Sequence, residues 1–187
     1  MLPTPSICVY CGSKTGLHKT YGQVAADLGS CIAQRGLGLV YGGSNVGLMG
    51  LLADAALAGN TEVIGVIPQN LDAKELAHRG LTELIVVENM HQRKSIMAQR
   101  AQAFIALPGG YGTLEELFEA IAWSQLGIHH KPLGLLNTRG YFDHLIAFLD
   151  HAVREQFLQP HHRALLCVEQ DVDALVDTLL ANLPPSQ

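Results

Sequence analysis

AFIALPGGYGTLEE, Ala103 to Glu116, decides the fold. Five apolar residues make a buried strand, Pro108 stops it, and Gly109, Gly110 and Gly112 leave the backbone bare before a helix from Leu114 to Leu126. A strand that turns through glycines into a helix is one βα unit, and the same order recurs along the chain. SICVYC, Ser6 to Cys11, precedes a helix from about Thr20 to Arg35 that stops at Gly36. LGLVY, Leu37 to Tyr41, leads through GGSNVGLMG, Gly42 to Gly50, into a second helix. EVIGVI (Glu62 to Ile67), ELIVV (Glu83 to Val87), PLGLL (Pro132 to Leu136) and ALLCV (Ala164 to Val168) read as further strands. Helices are expected over His91 to Gln102, Tyr141 to Gln156 and Val172 to Leu180, with a polar stretch from Gln69 to Gly80. Repeated βα units predict one α/β domain over residues 1–187, Rossmann-like, with a doubly wound, mostly parallel sheet flanked by helices. Ligands of such sheets bind beyond the carboxyl ends of the strands, where both glycine loops fall.

Composition narrows the function. With 48% hydrophobic and 16% charged residues the chain is far from disorder, and 187 residues suffice for one sizeable core. A net charge of −5 with no basic run argues against a polymeric nucleic acid and for free nucleotides, whose phosphate must then be held locally. The first ten residues lack a basic region followed by an apolar stretch, and no window approaches the roughly 20 apolar residues of a membrane span, so a cytoplasmic protein is expected. Cys8 and Cys11 spell a CxxC, but side chains three apart on a strand point to opposite faces, which predicts core packing rather than redox chemistry. His129, His130, His161 and His162 form adjacent pairs that do not share a face, and no metal site is expected from them; they read as surface loop residues.

The two glycine loops have different content. GGSNVGLMG enters a helix, and its N–H groups could face an anion, but its glycines could equally serve the shape of the turn alone. It is neither the GxGxxG of a dinucleotide site, since the next strand ends in Val66, Ile67 and Pro68 rather than an acid, nor a P-loop, since no GK[ST] follows. PGGYGTLEE adds Glu116, for which two readings are open. Thr113 and Glu116 have the T-x-x-E spacing of a capping box, and the same carboxylate could act in a site. Tyr111 could stack on a base or pack locally.

Arg93 and Lys94 fall in the first helical turn, where the dipole disfavours cations, and they flank the apolar stripe of Met90, Met97 and Ala101. Either an anion held between the pair and the helix N-terminus accounts for them, or they are a snorkelling surface pair.

CGS at Cys11 to Ser13, GGSNVGLMG, MHQRK at Met90 to Lys94 and PGGYGTLEE, with WSQLGIHHKPLGLLN from Trp123 to Asn137, resemble the LONELY GUY (LOG) phosphoribohydrolases, once widely labelled lysine decarboxylases. The likeness covers nearly the whole chain. It implies hydrolysis of the N-glycosidic bond of adenosine-type 5′-monophosphates to a free base and ribose 5-phosphate, in a homodimer that needs no metal or organic cofactor. It puts the catalytic arginine on Arg93, the catalytic glutamate on Glu116, and substrate contacts on Glu75, Lys94 and the run Gly110, Tyr111, Gly112, Thr113, Leu114, Glu115. Ser13, Gly43 and Gly109 join them as candidate phosphate contacts. The family often has threonine where this chain has Ala122. Two other classes compete: a carrier that binds a nucleotide or cofactor without chemistry, and a decarboxylase, which would need a cofactor-bearing lysine among Lys14, Lys19, Lys74, Lys94 and Lys131.

Overall fold

The computed structural model describes residues 5–72 and 76–184. Its elements follow the βα rhythm of the sequence: β1 (Ser6–Tyr10), α1 (Lys19–Gln34), β2 (Gly38–Tyr41), α2 (Gly47–Ala58), β3 (Val63–Pro68), the single turn α3 (Gln69–Asp72), β4 (Glu83–Val87) and α4 (Met90–Arg100). Then come β5 (Ala103–Ala106), α5 (Tyr111–Gln125), β6 (Leu133–Leu136), α6 (Asp143–Arg154), the single turn α7 (Pro160–Arg163), β7 (Leu166–Glu169) and α8 (Val172–Ala181). All seven strands are parallel, in the order β4-β3-β2-β1-β5-β6-β7. The strand order reverses between β1 and β5, so the turns after these two strands diverge and open a crevice.

Strand alternation assigns the core. Ile7 and Val9 point to the face covered by α1, α2 and α8, where Leu28, Leu52 and Leu175 are buried. Cys8 and Tyr10 point to the other face, where Met97 of α4 and Leu117 of α5 pack. Cys8 and Cys11 therefore lie in opposite core layers, and burial pushes both thiols above the ordinary cysteine value. Neither is poised as a nucleophile.

Two local expectations differ from the structure. The helix after PGGYGTLEE starts at Tyr111, with Gly110 as its N-cap and no side-chain capping bond. Thr113 is therefore inside the first turn and buried, so the capping-box reading of Thr113 and Glu116 is overturned. With Thr113 turned against Gly109, where a methyl group would lie 2.0 Å from the threonine hydroxyl oxygen, its side chain does not cap the helix. His161 and His162 sit in α7 rather than in a loop.

Candidate active site

The strands deliver their glycine loops to one end of the sheet, and two adjoining cavities open there. One, of about 380 Å³, is lined by Ser13 after β1, Gly42 and Ser44 after β2, Arg93 of α4, and Gly110, Tyr111, Gly112, Thr113 and Glu116 around the start of α5. Its far wall is apolar, built from Val46, Met49, Ile67, Leu71, Leu76 and Met90. The other, of about 390 Å³, shares Gly12, Ser13 and Gly110 and extends past Lys14, Tyr21, Gly109 and Tyr141. Among the described residues no acidic side chain lines this second cavity, whereas Glu116 lines the first.

Arg93 and Glu116 face each other across the first cavity, with Arg93 Nη1 3.6 Å from Glu116 Oε1. Both are buried, at 8% exposure each. A buried guanidinium needs its donors satisfied, and here two backbone carbonyls do this: Arg93 Nε donates to Val66 O of β3 at 3.0 Å, and Nη2 to Gly42 O beyond β2 at 3.4 Å. The arginine is thus fixed on the carboxyl ends of two strands, with Nη1 facing Glu116 and donating to Met90 Sδ at 3.7 Å. Gly42 is required for this approach, since a methyl group there would lie 2.0 Å from Arg93 Nη2.

Burial raises the Glu116 carboxyl above the ordinary glutamate value, and the Arg93 charge pulls it back down. The carboxyl is held between these opposing influences, with burial the larger of the two. The α5 N-terminus beside it is uncapped by any side chain, so its first-turn N–H groups are open to an anion. The contrast with α4 is direct, because there the Asn89 side chain accepts from Gln92 N at 3.0 Å.

The anion demanded by the basic pair comes from within the chain. Arg93 faces Glu116, while Lys94 Nζ donates to Glu115 and to Glu119 Oε2, the latter at 2.5 Å. Neither cation is a surface pair, since Lys94 is 7% exposed. Lys94, Leu114, Glu115 and Gly43 do not line the Arg93–Glu116 cavity, and Gly109 lines its neighbour. Glu75 lies outside the described residues. Tyr111 lines the cavity and is 94% exposed. Met90 heads α4 into the cavity, whereas Met97 and Ala101 of the same stripe are in the core.

The apolar wall escaped sequence reasoning. Val46 and Met49 sit inside the first glycine loop and Met90 in an apolar stripe, but Ile67, Leu71 and Leu76 come from other segments, and nothing in the sequence brings the six together. Ser44 and Gly42 lay inside the first glycine loop, but nothing local singled them out over Gly43. Among the described residues no group of three or more His, Cys, Asp or Glu could hold a metal ion. No helix among them is long and apolar enough to cross a membrane.

Comparison with known proteins adds four matches. The family model described as "Possible lysine decarboxylase" matches residues 49–179. A cytokinin riboside 5′-monophosphate phosphoribohydrolase of Rhodococcoides fascians is 50% identical over 176 residues, 93% of this chain and 89% of that protein. An Arabidopsis thaliana protein of the same name is 49% identical over 173 residues, 92% of this chain and 80% of that one. Among solved structures, the molybdenum cofactor carrier protein of Chlamydomonas reinhardtii superposes with a TM-score of 0.72 at 26% identity, over 95% of this chain and 99% of that one.

Proposed function

The chain belongs to the family of the cytokinin riboside 5′-monophosphate phosphoribohydrolases, and from that premise we propose that it hydrolyses the N-glycosidic bond of adenosine-type nucleoside 5′-monophosphates, AMP or N6-modified. The products are the free base and ribose 5-phosphate. The observation that carries this reading is the buried Arg93–Glu116 pair in one cavity beside an uncapped helix N-terminus.

Cleavage builds positive charge on the ribose and negative charge on the departing base. Glu116, ionised, stabilises the oxocarbenium-like carbon and orients the attacking water. The new bond joins the water oxygen to C1′, the C1′–N bond breaks with its electron pair going to the base, and the base ends with a proton as the water loses one. Arg93 organises substrate and charge beside the carboxylate. Each group supplies several kcal/mol, since removing a comparable electrostatic group costs about a hundred- to a thousandfold in rate. The 5′-phosphate meets the N–H groups at Gly110 to Gly112 with Ser13 nearby, and the apolar wall of Leu71, Leu76 and Met90 suits the base and an N6 substituent.

The decarboxylase description of the family model fits poorly with this cavity, because no lysine among the described residues lines it. A carrier reading keeps one specific support, the likeness to the molybdenum cofactor carrier protein, and uses the same loops without chemistry. We infer a homodimer working in the cytoplasm. Its support is that no residue of the amphipathic α6 is buried in the single chain, while Phe148 of α6, and Phe118 on α5, are exposed.

Chromatography of reactions with AMP, N6-isopentenyl-AMP and the matching nucleosides tests the function. Free base should form from the monophosphates and far more slowly from the nucleosides. Saturable AMP binding without free adenine would instead mark a carrier, and equal rates on nucleosides would remove the phosphate contact from the account.

A further inference from the structure

Lys94 and Glu119 do not line the cavity, yet both are tied to the pair that does. Lys94 directly follows Arg93 in α4, and Glu115 and Glu119 flank Glu116 on α5 four residues apart, on one face of the helix. Lys94 Nζ bonds to both outer carboxylates, with its side chain only 8% exposed. A buried ammonium is costly unless paired, so this contact has one preferred geometry. The Glu115 side chain is 54% exposed and that of Glu119 26%, so the Glu119 contact is the better shielded of the two.

The neighbouring Arg93 and Glu116 form an ion pair at 3.6 Å, longer than a hydrogen bond, so their attraction alone does not fix a geometry. The backbone carbonyls hold Arg93 to the sheet, and the Lys94 contact holds α5 to α4 one residue away.

We propose that Glu119 and Lys94 are positioning residues: they fix α5 against α4 so that Glu116 faces Arg93, and they balance the charge felt by Glu116. This rests on the hydrolase reading above. The charged groups facing Glu116 are Arg93 and Lys94 from α4 and Glu115 and Glu119 from its own helix. From β1 and its end, Cys8, Tyr10 and Cys11 face it as well, and burial keeps all three neutral. Removing the Glu119 charge therefore favours ionised Glu116, and removing the Lys94 charge disfavours it.

The test uses Glu119→Gln, which keeps an acceptor for Lys94, Glu119→Ala, which does not, and Lys94→Met. Two readouts are taken on each: kcat and KM for AMP against pH, and the titration of the Glu116 carboxyl by carbon-13 NMR, assigned by its loss in Glu116→Gln. The expected result is that Glu116 titrates about half a pH unit lower in Glu119→Gln and higher by a similar amount in Lys94→Met. The acid limb of kcat moves with it, and Glu119→Ala loses about tenfold in kcat with KM within about twofold. Unmoved titrations, shifts of the same sign in both variants, or a rise in KM with kcat unchanged would overturn the proposal. The NMR titration needs no turnover, so a wild-type protein that releases no base counts against the hydrolase reading alone.

Discussion

In the turn between β2 and α2, a methyl group on Gly47 would lie 2.2 Å from the Ser13 carbonyl carbon, whereas in the turn between β5 and α5 a methyl group on Gly110 or Gly112 would meet nothing within 4 Å. The two turns share a strand-to-helix design and differ in what their glycines are for. Gly47 also has φ +63°, so it is needed both for its backbone conformation and to let the turn after β1 pack against it. Gly110 and Gly112 have neither need. Their bareness faces an open cavity, which is what a loop that receives a ligand requires and a packed loop does not. Gly47 thus serves packing, and Gly110 and Gly112 serve access to the cavity.

The largest effect that could break this contrast is at Gly47. Gly47→Ala should cost about 3 kcal/mol or more, from a left-handed backbone and backbone overlap together, and lower Tm by roughly 10 °C in thermal denaturation. A variant as stable as the wild type would deny the first turn its structural role. Gly112→Ala should do the reverse. Alanine is the better helix former, so Tm stays or rises slightly, while KM for AMP rises roughly tenfold as the methyl group crowds the anion. Equal KM values would show that the ligand does not approach the start of α5.

A third expectation concerns acidity. Activity needs ionised Glu116, and burial raises its pKa above the ordinary 4.5, so kcat should fall as pH drops through that raised value and be full above it. An acid limb at or below 4.5 would mean that another group limits the rate. Ser13→Ala is the mildest change, about threefold in KM for AMP by steady-state kinetics, since Ser13 is one polar group among several backbone donors.

Much of this was legible because βα units are written locally. Apolar runs, Pro108, and glycines at turn positions mark strands and helix starts within a few residues of each other, and the parallel sheet follows. The Arg93 environment was not legible, because its acceptors at Val66 and Gly42 lie 27 and 51 residues away. Nor was the helix start at Tyr111. T-x-x-E spacing is a true local signal for a cap, but the helix starts three residues earlier than Leu114, with Thr113 turned against Gly109 and Glu116 lining the cavity. The family resemblance carried Arg93 and Glu116 jointly, whereas local rules left two readings open for each.

Glu116→Gln tests the central claim most directly, since it keeps the size and hydrogen-bonding shape of the side chain and removes only its charge. The account predicts a fold with Tm within about 3 °C of wild type and release of adenine from AMP slowed by a hundred- to a thousandfold, roughly the loss of one transition-state charge. Adenine release at the wild-type rate from that variant would contradict it.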